Sequence, residues 1–411
     1  MVHQSADLTA LLGKALRAGE AIATCAKDFT HLGDEVSPLL IAGHSRGRHG
    51  HSRRYDNGTI YWTPESGAHP VSYGVATLYD RLDGPGGRLG YPLTPEVGAA
   101  PSPQGTSGVY QRFESTWDYA DEVCSIVGLR CGATIYWSSV HGPHATWGGI
   151  GEHYERTGGT YRVGFPVSGE YPVEPPPGGV EAYRQDFEGG SIFWSDATNS
   201  ILVDDVVASV MRGLTDSVSA FPTLEKADTS PSPYGTAGTY QSFCIVDRHG
   251  DPATHVGLAD RLKAKFCIVN GRGDPATPFR GGTVYLSQHG NLLVTGDFDV
   301  AHRRQSGTAG SLGFPISPEE DVEITGRSCH RQRFEGGALY KRDGGDVIAV
   351  EEPIWGLLSE AGVHDALGLP IDSAEGSTGR GGVAVQFYDK GVVTVRDGSA
   401  AYWLRPLDSD A

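Results

Sequence analysis

The sequence predicts an α+β repeat ring, a propeller-like closed array of six strand–strand–helix units of about 55 residues. Three observations carry that expectation. A hairpin pattern opened by an aromatic residue recurs six times. A nearly constant distance separates each hairpin from a Leu-Gly-aromatic-Pro element. The last copy lacks its second half, and the chain begins with a segment that has the character of that missing half.

The hairpins open at Tyr55, Phe113, Phe187, Phe243, Phe334 and Phe387. Asn57-Gly58, Gly189-Gly190, Gly281-Gly282 and Gly336-Gly337 supply turns that need unusual backbone angles. The strands that follow, such as Thr59-Ile60-Tyr61-Trp62 and Thr283-Val284-Tyr285-Leu286, are β-branched and aromatic. The strand end lies 28 residues before Gly90 in the first copy and 27 before Gly164, Gly313 and Gly368 in later ones. In the third, Trp194 precedes Ala220 by 26, with Ala standing where the others have Gly. Between strand and Gly lies a short amphipathic helix, with Val71, Val75, Leu78 and Tyr79 on one face of the first and Ile150, His153 and Tyr154 on that of the second. Two copies carry insertions inside the hairpin, at 114–132 and 244–280. The second contains a duplication, Phe243-Cys244-Ile245-Val246 recurring as Phe266-Cys267-Ile268-Val269.

The sixth copy starts at Phe387 and ends at Ala411 before any helix. At the other end, Asp7–Lys27 has apolar residues at helical spacing, and Leu32-Gly33 precedes Tyr55 by 22. The expectation is that this N-terminal helix completes the sixth unit and closes the ring, so that no sheet edge is left free. The whole chain then forms one ring, with units near 1–33 (the completing helix), 34–96, 97–170, 171–225, 226–319, 320–375 and 376–411.

Composition narrows the function classes. Gly accounts for 58 of 411 residues without a Gly-X-Y period, which suits many tight turns and excludes collagen. A formal net charge of −17 argues against a nucleic-acid partner, and the one basic stretch, His44–Arg54, reads as a surface loop. No apolar run is long enough to span a bilayer, and no leader pattern opens the chain, so as written it reads as cytoplasmic. Cys124 with Cys131, and Cys244 with Cys267, are spaced for local disulfides. There is no Cys-x-x-Cys, nucleotide loop, His-Glu-x-x-His or Gly-x-Ser-x-Gly, so no metal or cofactor is expected, and a monomer is.

The pattern resembles the LGFP repeat family of actinobacterial envelope proteins. Leu89-Gly90-Tyr91-Pro92, Gly164-Phe165-Pro166, Leu312-Gly313-Phe314-Pro315 and Leu367-Gly368-Leu369-Pro370 carry the likeness. So do Gly58-Thr59-Ile60-Tyr61-Trp62 with Gly67-Ala68-His69, and Ile135-Tyr136-Trp137 with Gly142-Pro143-His144. The resemblance implies a pseudo-symmetric ring that binds cell-wall polysaccharide, in the cell envelope or secreted. Later copies drift, the Tyr-Trp pair becoming Phe193-Trp194, Tyr285-Leu286 and Tyr340-Lys341.

Sugar recognition sets an aromatic face against the ring, with polar groups holding the hydroxyls. Tyr61, Trp62 and His69, Tyr136, Trp137 and His144, and Trp194 form such sets; the competing expectation is that the aromatics fill the core and the histidines cap turns. The insertions add Trp117, Arg248 and Arg272 as ligand contacts and Asp118, Asp121, His249, Asp251, His255 and Asp274 as acid–base candidates. Gly-Asp-Pro-Ala-Thr is also an ordinary turn and helix-entry pattern, with Asp and Thr as caps. Three functions follow as expectations: a polysaccharide binder, a soluble enzyme (hydrolase, cyclase or isomerase) acting on a small molecule in a pocket walled by the insertions, or a protein-interaction platform.

Overall fold

The structure is a computed structural model describing residues 2–45, 48–115, 132–176, 180–211, 218–247, 281–360, 362–376 and 383–405. Its β-structure falls into six separate antiparallel sheets. Sheet one is β1 (Leu40–Ser45), β2 (Arg48–Tyr55), β3 (Gly58–Thr63) and β4 (Gly67–Ser72). Sheet two is β5 (Val97–Gly98), β6 (Gly108–Phe113), β7 (Ala133–Ser138) and β8 (Gly142–Thr146). Sheet three is β9 (Tyr171–Pro172), β10 (Ala182–Phe187), β11 (Gly190–Ser195) and β12 (Asn199–Asp204). Sheet four is β13 (Val218–Pro222) and β14 (Ala227–Asp228), both on β15 (Gly238–Asp247), then β16 (Gly281–Ser287) and β17 (Gly290–Thr295). Sheet five is β18 (Glu320–Ile324), β19 (Arg327–Phe334), β20 (Gly337–Lys341) and β21 (Val347–Glu351). Sheet six is β22 (Glu375–Gly376), β23 (Val383–Tyr388), β24 (Gly391–Arg396) and β25 (Ser399–Leu404).

The helices α1 (Val2–Asp28), α2 (Tyr73–Arg81), α3 (Gly148–Arg156), α4 (Gly159–Arg162), α5 (Asp205–Met211), α6 (Gly296–Arg304), α7 (Ile354–Leu358) and α8 (Val363–Leu367) connect or cover these sheets. An amphipathic helix has one apolar stripe to bury, yet several here bury two. On α2, Val75 and Tyr79 pack with Tyr61 and Val71 of sheet one and also with Phe113 and Ile135 of sheet two. Ile150 and Tyr154 of α3 join Tyr136 to Phe187 and Ile192. Phe298 of α6 joins Tyr285 to Phe334 and Leu339, and Ile354 of α7 joins Val350 to Val393. Each of these helices is the common core of the sheet before it and the sheet after it.

The closed propeller-like ring is not formed. Among the described residues β-sheet predominates, with few helices, and none of the six sheets is closed or propeller-like. Each unit contributes four or five strands rather than two. The chain divides into two compact units, sheets one to three (1–173 and 181–204) and sheets four to six (174–180 and 205–411). Instead of completing a sixth unit, α1 places Ala18, Ile22 and Cys25 on Leu32, Tyr55, Ile60 and Trp62 of sheet one. Leu11, Leu12 and Leu16 stay exposed, as does Trp403 on β25. The regular spacing from Leu32-Gly33 to Tyr55 records how a helix meets the sheet that follows it, and that relation is satisfied without a sixth sheet. Among the described residues, Cys25, Cys244 and Cys329 are buried free thiols, whereas Cys124, Cys131 and Cys267 lie outside them.

The Leu-Gly-aromatic-Pro element is a hinge clamped by a carboxylate. The buried side chains Leu89 and Tyr91, Val163 and Phe165, Leu312 and Phe314, and Leu367 and Leu369 flank a glycine at φ +69° to +83°. The acid that follows each hairpin aromatic accepts a hydrogen bond from the next backbone N–H: Phe165 to Glu188 at 2.8 Å, Phe314 to Glu335 at 2.9 Å, and Leu369 to Asp389 at 3.3 Å. A Cβ on Gly164 would lie 2.6 Å from the Glu188 Cβ, so backbone angle and space both demand glycine. Pro92, Pro166, Pro315 and Pro370 then bridge to Phe113, Phe187, Phe334 and Tyr388. The sixth anchor is therefore Tyr388, fully buried, and not its neighbour Phe387, which is 42% exposed. In the fourth copy Ala220 and Cys244 replace the Gly and the acid, and Val218–Pro222 pairs as the regular strand β13.

Candidate functional site

An open groove of about 430 Å³ lies on sheet four where β15 and β16 meet the turn after α6. Its floor follows from strand alternation. Ser242 and Thr283 face each other across the ladder, with hydroxyl oxygens 3.1 Å apart, and Tyr240 and Tyr285 form the next pair on that face. Tyr285 is buried and Tyr240 half-buried, their rings 6.4 Å apart. Thr229, Ser230 and Asp228 form one rim; Arg303, Ser306 and Thr308 form the other.

The groove rests on a buried charge. Asp299 is 1% exposed and sits one helical turn before Arg303, whose guanidinium is 2.7 Å away. Burial pushes the Asp299 carboxyl up, while Arg303 and Thr283 pull it down. A carboxylate so placed fixes the direction of the arginine head at the rim. The corresponding α2 and α3 positions are Ala76 and Gly151, and that departure is the sequence signal that could have found the site. Chemically the groove offers hydroxyl donors and acceptors, an aromatic wall and one oriented guanidinium.

Tyr61 and Trp62 are buried; Trp62 packs against α1, and its ring lies 5.9 Å from His51. Tyr136 is buried against α3. Trp137 and Trp194 are half-buried over Gly74 and Gly149, where a Cβ would come within 2.5 Å of the indole. His69 Nε2 lies 2.7 Å from the Ser66 carbonyl and His144 Nε2 3.0 Å from that of His141, each across the tip of a hairpin, and burial lowers both histidines below the usual range. None of these residues lines the sheet-four groove. Trp117, Asp118, Asp121, Arg248, His249, Asp251, His255, Arg272 and Asp274 lie outside the described residues. Among the described residues no helix is long and apolar enough to cross a membrane, and no group of three metal-ligating side chains is assembled.

No curated protein matches the chain. The family model for the LGFP repeat matches residues 42–87 and 163–209. The first stretch runs from β1 through α2; the second begins at the Val163-Gly164-Phe165-Pro166 hinge and takes in sheet three. The hinges at Gly90, Gly313 and Gly368 repeat the same clamp. The chain carries LGFP repeats over residues 42–87 and 163–209.

Proposed function

We propose that this protein binds carbohydrate of the cell envelope, and that the groove on sheet four is where it does so. Repeats of this family are often linked to cell-envelope proteins, and polysaccharide is the chemistry the groove fits. The carrying observation is the Ser242–Thr283 pair beside Tyr240 and Tyr285 under an Arg303 aimed by buried Asp299. A sugar presents an apolar face to an aromatic ring and vicinal hydroxyls to polar groups at its edge. The corresponding position of sheet two holds Arg112, bridged to Glu155, where sheet four has the small Ser242. That exchange opens the groove.

Titration of the full chain with an arabinogalactan oligosaccharide tests this. Tyr240→Ala should weaken binding about tenfold, the scale of one aromatic contact. Ser242→Arg, which restores the bulky residue of sheet two, should remove binding at this groove. Both variants should melt as cooperatively as the parent. If both bind with parental affinity, sheet four is not the site.

A further inference from the structure

The same chemistry recurs on the same face of sheets two and three, supplied from shifted positions. The fixed elements are a hydroxyl on the third main strand, facing the residue before the hairpin aromatic, and an aromatic two places further on. Thr134 faces Arg112 and is followed by Tyr136; Ser191 faces Asp186 and is followed by Phe193; Thr283 faces Ser242 and is followed by Tyr285. The charged partners change place. In sheet two the guanidinium comes from strand residue Arg112 and the carboxylate from helix residue Glu155, 3.2 Å apart, and Thr134 donates to Glu155 at 3.2 Å. In sheet three both come from β10: Arg184 is 2.7 Å from Asp186 and donates to Ser191 at 3.0 Å, while Ser191 donates to Asp186 at 2.6 Å. Sheet four draws both from α6, as Arg303 and Asp299. Two of the guanidinium groups also lie near an aromatic, Arg112 5.7 Å from the Tyr110 ring and Arg184 5.1 Å from that of Phe193.

Exposed ion pairs add little stability. The Arg112–Glu155 and Arg184–Asp186 pairs are each about one-third exposed and within reach of a ligand. A hydroxyl, an aromatic ring, a guanidinium and a carboxylate kept together while the residues supplying two of them move is the mark of a place with one chemical task. We propose that sheets two and three each carry a further saccharide subsite, so that the chain binds a polysaccharide at three places. This rests on the carbohydrate reading of sheet four and adds multivalency to it. In sheet two the sugar hydroxyls would bridge Arg112 and Glu155, and in sheet three Arg184 and Asp186.

The test is stoichiometry, measured by calorimetric titration of the full chain with a short arabinogalactan oligosaccharide, alongside binding to the intact polymer. The short ligand should occupy about three sites, and the polymer should bind at least a hundredfold tighter through linked engagement. Arg112→Ala with Glu155→Gln should remove one site, Arg184→Ala with Asp186→Asn another, and Ser242→Arg the third, with melting temperatures reported for each. A single site lost only with Ser242→Arg would overturn the multivalent inference and leave the sheet-four proposal standing. Binding lost with neither Ser242→Arg nor Tyr240→Ala, but with the sheet-two and sheet-three variants, would overturn the sheet-four assignment instead. No binding by the parent would end both.

Discussion

At the scale of single residues, the hinge carbonyl is held by a helix side chain whose identity sets its response to acid. Tyr79 and Tyr154 donate their hydroxyls to the carbonyls of Gly90 and Gly164, both at 2.7 Å. In the fourth repeat His302 takes this place, its Nε2 2.9 Å from the Gly313 carbonyl, and it stacks on Phe334. Burial lowers His302 from its usual range to about 4. The unfolded chain therefore takes up this proton first as pH falls. The stability His302 contributes is present above about pH 6.5 and is lost as pH falls towards about 4, a change on the order of 2–3 kcal/mol. Replacing His302 with Tyr, the residue of the first two repeats, should keep the bond to Gly313 and flatten that part of the acid-unfolding profile. A profile identical to the parent would show that His302 is not the group responsible. Residue-scale features were unevenly legible in the sequence. The glycine of each hinge stood out because only spacing was needed to find it. Tyr388 was missed in favour of Phe387 because two adjacent aromatics differ only in which face of the strand they occupy, and alternation from Gln386 was the cue that settles it. Ser242, Thr283 and Asp299 belong to no motif, and only folding brings them together.

At the scale of elements, sheets are stitched by buried glutamines two places before the hairpin aromatic. Gln185 donates to the Ala145 carbonyl of β8 and to Ser168, both at 2.9 Å; Gln332 and Gln386 do the same to Leu293 and Ala349 of the sheets before theirs. One amide thus ties the closing strand of one sheet to the second main strand of the next. Its own carbonyl oxygen fares differently between repeats. In sheet six it accepts from the Tyr388 hydroxyl at 3.0 Å, whereas the Gln185 and Gln332 oxygens are buried with no hydrogen-bond partner among the described residues. Phe187 occupies the position of Tyr388. Phe187→Tyr should satisfy the Gln185 oxygen and raise stability by about 1 kcal/mol, read as a higher denaturant midpoint at unchanged slope. A lower midpoint would mean that the hydroxyl finds no room beside Tyr154. The helix and the second and third main strands were largely visible from hydrophobic pattern. The fourth was read as a polar loop running into the helix, and Val71, expected on the helix, lies in β4. The two-residue strands β5, β9, β14 and β22 were not visible, because two ladder pairs leave no periodicity to read.

At the scale of the whole molecule, the expectation of closure failed for a physical reason. Spacing reports neighbours along the chain, and α1 finds its neighbour in sheet one. Removing residues 2–28 should therefore expose Leu32, Ile60 and Trp62 and unfold sheet one first. Hydrogen exchange should show lost protection across 40–72 and parental protection across 320–404. Uniform loss across all six sheets would show instead that the fold is one cooperative whole. The shared helix described above has a consequence for how such a protein grows. The segment that a duplication copies and the layer that must be covered are out of phase by one helix, since each helix is inherited with the sheet before it and needed by the sheet after it. A new repeat inserted between two old ones arrives with both faces provided for. A sheet added beyond the last helix would have a helix on one face alone. Length in this family should then change from within.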